Sequence, residues 1–262
     1  MSDQAETLRK LMEQRGSPAD EGGSMPQVFV VASPLLGTTK TKLVTQLSTL
    51  LGREGLRVLL IDAVMPVKRL QTHTEAYARR LGQNLWFLPL EALPIQLENP
   101  SEEFDVVMID TGGGLKRSVT PLHSSLYSPL FRSVVVLTPE RNSVASAYEL
   151  ISELKRRNAV ERFGIIVNQV TDGRAAREIF RQLTAISVKT LDVQLDYLGH
   201  VACDENFNRT VVKPKFLVNS IEGSGAGATV SLELLAKRFR ESGSATGKQV
   251  NMKGFWRTLM GP

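Results

Sequence analysis

Lys40 and Thr41 are the residues of this chain best placed to do chemistry. They close the stretch 33–42, Ser-Pro-Leu-Leu-Gly-Thr-Thr-Lys-Thr-Lys, which follows the apolar run Val28-Phe-Val-Val-Ala32. A lysine and a hydroxyl where a loop enters a helix suit phosphate: backbone N–H groups cradle the anion, the ammonium meets its charge, and the hydroxyl can ligate Mg²⁺. Of the glycines such a loop uses, Gly37 alone is present. A second candidate is Phe104-Asp-Val-Val-Met-Ile-Asp110-Thr-Gly-Gly-Gly114. Asp110, ending an apolar run, can order a Mg²⁺ water, and Gly112 to Gly114 can offer N–H groups to a terminal phosphate. Asp62, at the end of Arg57-Val-Leu-Leu-Ile-Asp62, is a further candidate catalytic carboxylate.

These residues need strands to carry them to one edge. Apolar runs bounded by turn residues predict strands at 27–32, 57–62, 84–88, 105–110, 133–137, 163–168 and 196–201. Helical spacing predicts helices at 40–53, 73–81, 143–158, 174–189 and 229–240. Such alternation predicts an α/β fold, a doubly wound, mostly parallel sheet with helices on both faces. The core domain spans 27–240. Ahead of it, 1–15 reads as a helix with Asp3 as N-cap and Glu6 three positions on, stopped by Gly16 and Pro18. Residues 16–26 and 241–249, rich in Gly, Ser and Pro or Thr and Lys, read as linkers. The segment 250–262 is apolar again: Met252, Phe255, Trp256 and Leu259 share one helical face, with Lys253 and Arg257 on its edge.

Composition fits one α/β domain with flexible ends: 262 residues, 42% hydrophobic and 23% charged. The net charge of +5 is spread over interspersed acids and bases, which suits a membrane surface or nucleic acid without selecting either. Cys203 is the one cysteine, which excludes an intramolecular disulfide and fits a reducing compartment. The charged N-terminus lacks the apolar core of a secretory signal, and no run is long enough to span a bilayer. His73, His123 and His200 have no metal-ligand spacing, so Mg²⁺ at Thr41 and Asp110 is the one metal site considered.

The two motifs, with Leu-Ile-Asp62 between them, resemble the MinD/ParA family of deviant P-loop NTPases. The flagellar-number branch, of the FlhG or FleN type, is the nearest in character. Asp3-Gln-Ala-x-x-Leu-Arg9 is similar to that branch's N-terminal activation motif. Ile166-Val-Asn168-Gln is similar to a later strand, which places Asn168 as an adenine contact. Gly254-Phe-Trp-Arg-Thr-Leu-Met-Gly261 resembles the family's C-terminal membrane-targeting helix. The resemblance implies ATP or ADP with Mg²⁺, held by Gly37, Lys40, Thr41, Asp110, Gly112, Gly113 and Asn168. It also implies an ATP-driven homodimer in the bacterial cytoplasm, peripheral to the inner face of the cytoplasmic membrane.

The departures are consistent with one another. Leu35 stands where the family's signature lysine would reach the partner subunit's nucleotide, and Leu36 and Thr39 replace glycines. Glycine serves there because bare N–H groups must approach phosphate, often at positive φ; a β-branched Thr39 in that conformation costs about 1–3 kcal/mol. Val64 replaces the second acid of Asp-x-Asp and can neither take nor orient a proton. The interval from Asp62 to Asp105 is short for the family. Together these predict a pseudo-ATPase that keeps its binding surfaces.

The ends then carry the function. The resemblance implies that Asp3, Gln4, Ala5, Leu8 and Arg9 dock on an SRP-type flagellar GTPase, with Gln4 acting near its nucleotide. For the C-terminal helix, four buried side chains contribute about 6–10 kcal/mol, and each basic residue about 1 kcal/mol near anionic lipid. Ordering ten residues costs about 10 kcal/mol, so a single copy should bind an anionic membrane weakly. The competing readings are an active ATPase with an unconventional loop and a DNA-partitioning protein using Lys155, Arg156, Arg157 and Arg162. No aromatic-basic interleaving supports nucleic acid.

Overall fold

The computed structural model describes residues 26–35, 39–63, 79–90, 104–113, 126–204 and 226–241. Eight strands form one sheet: β1 (Gln27–Ser33), β2 (Val58–Ala63), β3 (Arg79–Arg80), β4 (Leu85–Pro89), β5 (Val106–Gly113), β6 (Arg132–Leu137), β7 (Arg162–Val170) and β8 (Gln194–Ala202). Their order is β3-β4-β2-β5-β1-β6-β7-β8. All pairings are parallel except that of the edge strand β3 with β4. The central register sets Val28 beside Val107 and Val30 beside Ile109, and on the next strand Asp62 beside Asp110. Parallel strands buried on both faces read as unbroken apolar runs, and those runs are what made them legible.

Among the described residues, four helices cover the sheet: α1 (Lys40–Arg53), α2 (Ser143–Asn158), α3 (Gly173–Leu191) and α4 (Ala226–Glu241). One core layer gathers Val28, Val30, Ile61, Ile109 and Val135 beneath Leu150, Ile151 and Leu154 of α2 and Leu183 of α3. The other joins Phe29, Val31, Leu60 and Met108 to Leu43, Leu47 and Leu51 of α1 and Leu232, Leu235 and Phe239 of α4. The Phe29 and Phe239 rings lie 4.5 Å apart between centroids. α1 is buried almost all round, because it touches β1, β2, β4 and β5 as well as α4. Its buried hydroxyls are satisfied within the helix: Thr45, Ser48 and Thr49 each donate to the carbonyl four residues back, at 2.8–2.9 Å.

Helices α1 and α2 take the predicted limits, and α3 and α4 run a few residues beyond theirs. Asp172 caps α3, its carboxylate accepting from Arg174 N at 2.7 Å and Ala175 N at 2.9 Å. The helix predicted at 73–81 is corrected at its end. Arg79 and Arg80 pair antiparallel with Phe87 and Trp86. Arg80 lies over the Trp86 ring, 5.5 Å from its centroid, and donates to Gly82 O at 3.0 Å, so a Gly-containing turn returns the chain as a hairpin. Residues 73–78 lie outside the described residues, as do the predicted helix 1–15, residues 16–25 of the first linker, residues 242–249 of the second, and the segment 250–262.

Candidate nucleotide-binding site

Strand β1 lies between β5 and β6, so connections leave in opposite directions and open a crevice at its carboxyl end. Lys40 opens α1 above that crevice but turns inward. It is 5% exposed, and its Nζ donates to Asp110 Oδ1 and to the carbonyl of Thr111. Asp110 is itself 2% exposed. Burial pulls the Lys40 pKa from 10.5 down to about 7, against the opposing field of Asp62.

Thr111, the acceptor of that bond, is fixed from two sides. Its hydroxyl donates to Val31 O at 2.9 Å and accepts from Tyr127 Oη at 3.1 Å. Tyr127 is buried and reaches the site from a loop that no motif flags. Gly112 and Gly113 continue strand β5 instead of forming a loop, and Gly113 stands in register with Ser33. Ser33 Oγ donates to Leu35 O at 2.9 Å, which ties the start of the loop to its own strand.

Thr39 occupies the left-handed region, at φ 52° and ψ 21°, where the sequence places strain. Its hydroxyl accepts from Asn168 Nδ2 at 2.8 Å and from Gln169 Nε2 at 3.2 Å. Gln169 is also at positive φ, 62°, and is the extra residue of a bulge: Asn168 pairs with Val201 and Val170 with Ala202. A bulge re-aims a side chain, and this one brings Gln169 to the same oxygen as Asn168. Two strained residues are therefore joined by hydrogen bonds that offset part of their backbone cost.

Of the predicted site residues, Lys40, Asp62 and Asp110 converge, and Asn168 joins them through Thr39. Thr41 is exposed on the first turn of α1, while Lys42 is buried. Burial lowers the Lys42 pKa and the field of Asp204, beyond the end of β8, opposes it. Gly37, Leu36 and Val64 lie outside the described residues, as do the candidate partner-binding residues Asp3 to Arg9 and membrane residues Met252 to Leu259. Sequence reasoning missed Thr111, Tyr127, Gln169 and Lys42. The Asn-Gln pair after an apolar run was a signal for Gln169; Tyr127 offered none. Among the described residues, no group of three His, Cys, Asp or Glu side chains could hold a metal ion.

The ammonium that would meet phosphate and the carboxylate that would order the metal's water hold each other. The amide nitrogen that would meet a base holds Thr39.

Residues 29–215 match the CobQ/CobB/MinD/ParA nucleotide binding domain, and the chain belongs to that family. It is 29% identical over 126 residues to the antiactivator FleN of Pseudomonas aeruginosa, an alignment covering 48% of this chain and 44% of FleN. The match thus spans less than half the length of that relative. The fold is that of MinD. A Pyrococcus horikoshii MinD complexed with Mg-ADP superposes with a TM-score of 0.57 at 17% identity, over 85% of this chain and 98% of that one. The MinC:MinD cell division protein complex of Aquifex aeolicus gives 0.55 at 19% identity, over 86% and 99%.

Proposed function

We propose that this protein is a MinD-like regulator of flagellar number or placement that acts by docking, with its ATPase activity lost or weak. The observation that carries the reading is the closed seat: Lys40 on Asp110 and Thr111, and Thr39 on Asn168 and Gln169. A phosphate-binding lysine works by meeting charge that arrives with the ligand. Here its partner is built into the adjacent strand, and opening the pair would leave a buried carboxylate uncompensated. Leu35 and Val64 extend the same argument to dimer bridging and to water activation.

The similarity to an antiactivator, and the likeness in fold to a MinD solved with a protein partner, support action through protein contacts. The segment Asp3, Gln4, Ala5, Leu8 and Arg9 is the proposed contact with an SRP-type GTPase. Leu8 anchors a helix and Gln4 orients water near the partner's nucleotide, two separable roles. Met252, Phe255, Trp256 and Leu259, with Lys253 and Arg257, are the proposed contact with anionic membrane at the cytoplasmic face.

The test is GTP turnover of an SRP-type flagellar GTPase with and without a peptide of residues 1–20. The peptide should bind and stimulate, and Gln4→Ala should reduce stimulation more than binding. No binding and no stimulation would remove the docking role. For the other end, the full chain should sediment with anionic liposomes in a salt-sensitive way that a chain ending at Gln249 does not share. Equal sedimentation of the two chains would remove the membrane role.

A further inference from the structure

At the sheet edge opposite Lys40, the amino ends of β6, β7 and β8 surround a cavity of about 300 Å³. Phe29, Val134, Gly164 and Leu198 line its apolar side, and Leu130, half exposed, stands at its rim. This volume lies at the small end of the range that proteins use for organic ligands.

The cavity is shaped by a bulge in β8. Pairing steps from Ile165 with Tyr197 to Ile166 with Gly199, so Leu198 is the extra residue and lies across Gly164. A Cβ on Gly164 would fall 2.5 Å from Leu198 Cδ1, so the bare glycine is what lets Leu198 lie flat there. Gly199 takes φ +147°, and Arg238 of α4 donates to the bulge carbonyls, Leu198 O at 2.6 Å and Tyr197 O at 3.3 Å. The bulge is held from a second element, which keeps Leu198 in place beside the cavity.

Arg132 lines the same cavity, half-buried, and among the described residues no carboxylate or carbonyl accepts from its guanidinium. The carboxylate whose field reaches it, Asp196, is bound by Arg162 at 3.3 Å. Burial, and then the like charge of Arg162, holds the Arg132 pKa below its ordinary value. Glu161, also on the lining, is exposed and pairs with no cation among the described residues. Asp196 is on the lining too, but its carboxylate is shared with Arg162. A half-buried guanidinium that donates to no carboxylate among the described residues, beside an apolar wall, is matched by an anion carried on an apolar body.

We propose that this cavity binds an apolar carboxylate, its head on Arg132 and its body against Phe29, Leu130 and Leu198. Two sources share that chemistry: a free acyl acid, and the terminal carboxylate of a peptide ending in a large apolar residue.

Calorimetric titration of the full chain with octanoate and with N-acetylphenylalanine tests the proposal, with 1-octanol and N-acetylphenylalanine amide as neutral counterparts. At least one acid should bind with a sub-millimolar Kd, and its neutral counterpart about tenfold more weakly or worse. Arg132→Gln should weaken the acid by a similar factor, leave the neutral counterpart unchanged, and be partly rescued by Arg132→Lys. Leu130→Ala, at an exposed rim, should weaken both without altering the melting curve. Tighter binding of octanoate assigns the acyl source, and tighter binding of N-acetylphenylalanine the peptide terminus. Failure of both acids to bind below several millimolar, or an affinity indifferent to Arg132→Gln, would overturn the proposal.

Discussion

Lys40 can meet a phosphate or hold a buried carboxylate, and in this structure it holds Asp110. A lysine that binds phosphate must leave its ammonium to the ligand. This one is buried against Asp110 and the Thr111 carbonyl. Replacing it by methionine should therefore destabilise the fold by about 3–5 kcal/mol, because Asp110 is left as a lone buried charge. Lys40→Met with Asp110→Asn should recover most of that loss in urea unfolding. A small effect of the single change would mean that the lysine is not part of the core. The pH dependence has a definite sign. The folded pKa lies below 10.5, at about 7, so across that window the unfolded chain binds the proton more readily. Desolvation of the ammonium thus makes stability rise as pH climbs from about 7 toward about 10.5, and Lys40→Met should flatten that part of the profile. Thr39 gives a second residue-scale test. Thr39→Val keeps the β-branch at φ 52° but removes the oxygen that Asn168 and Gln169 share. It should cost about 1–3 kcal/mol, since the buried Asn168 amide and the half-buried Gln169 amide both lose this acceptor. Thr39→Gly relieves the backbone and should cost less, so a reversed order in thermal unfolding would contradict this view of the site.

Among the elements, α4 is the one on which the α1 face depends. Phe239 packs on Phe29, and its truncation to alanine should cost about 3–5 kcal/mol. Arg240, whose guanidinium meets Glu54 at 3.0 Å in the open, should contribute less than about 1 kcal/mol. Comparable losses for the two variants would mean that α4 is held by charge instead of packing. The elements also show where sequence reading succeeds. Val58 to Asp62 and Val106 to Asp110 are continuous apolar runs because both sheet faces are covered. Ala147, Leu150, Ile151 and Leu154 recur at helical spacing because one face of α2 is buried. Reading failed at Arg79 and Arg80, whose helical pattern loses to a hairpin closed through Trp86 and Gly82. It was also blind to the bulges at Gln169 and Leu198. An extra residue in a strand leaves no mark on a pattern of apolar residues, yet one bulge completes the nucleotide seat and the other shapes the cavity at Arg132. The basic run Lys155, Arg156, Arg157 and Arg162 reads as a solvated helix edge before it reads as a surface for nucleic acid. Each is engaged within the chain: Lys155 with the carbonyls of Leu191 and Asp192 at the end of α3, Arg156 and Arg157 with Glu153, and Arg162 with Asp196.

For the whole molecule, the α/β domain bears on function through what its two sheet edges do. The carboxyl edge keeps the lysine, the aspartates and the asparagine of a nucleotide-binding family, and turns them on one another. The amino edge holds a shaped cavity whose half-buried Arg132 guanidinium donates to no carboxylate among the described residues. Under the proposed function the segments at either end act as ligands for other surfaces, and removing residues 1–20 should leave the melting temperature almost unchanged. A large loss on that deletion would make the segment an ordinary packed helix. The central claim is that the seat is closed by its own residues, and ATP turnover by the purified full chain with Mg²⁺ tests it most directly. The account predicts turnover at background, the same for the wild type and for Lys40→Ala, and no dimer on adding ATP. Robust turnover that disappears with Lys40→Ala would contradict it and return the protein to the active ATPases of its family.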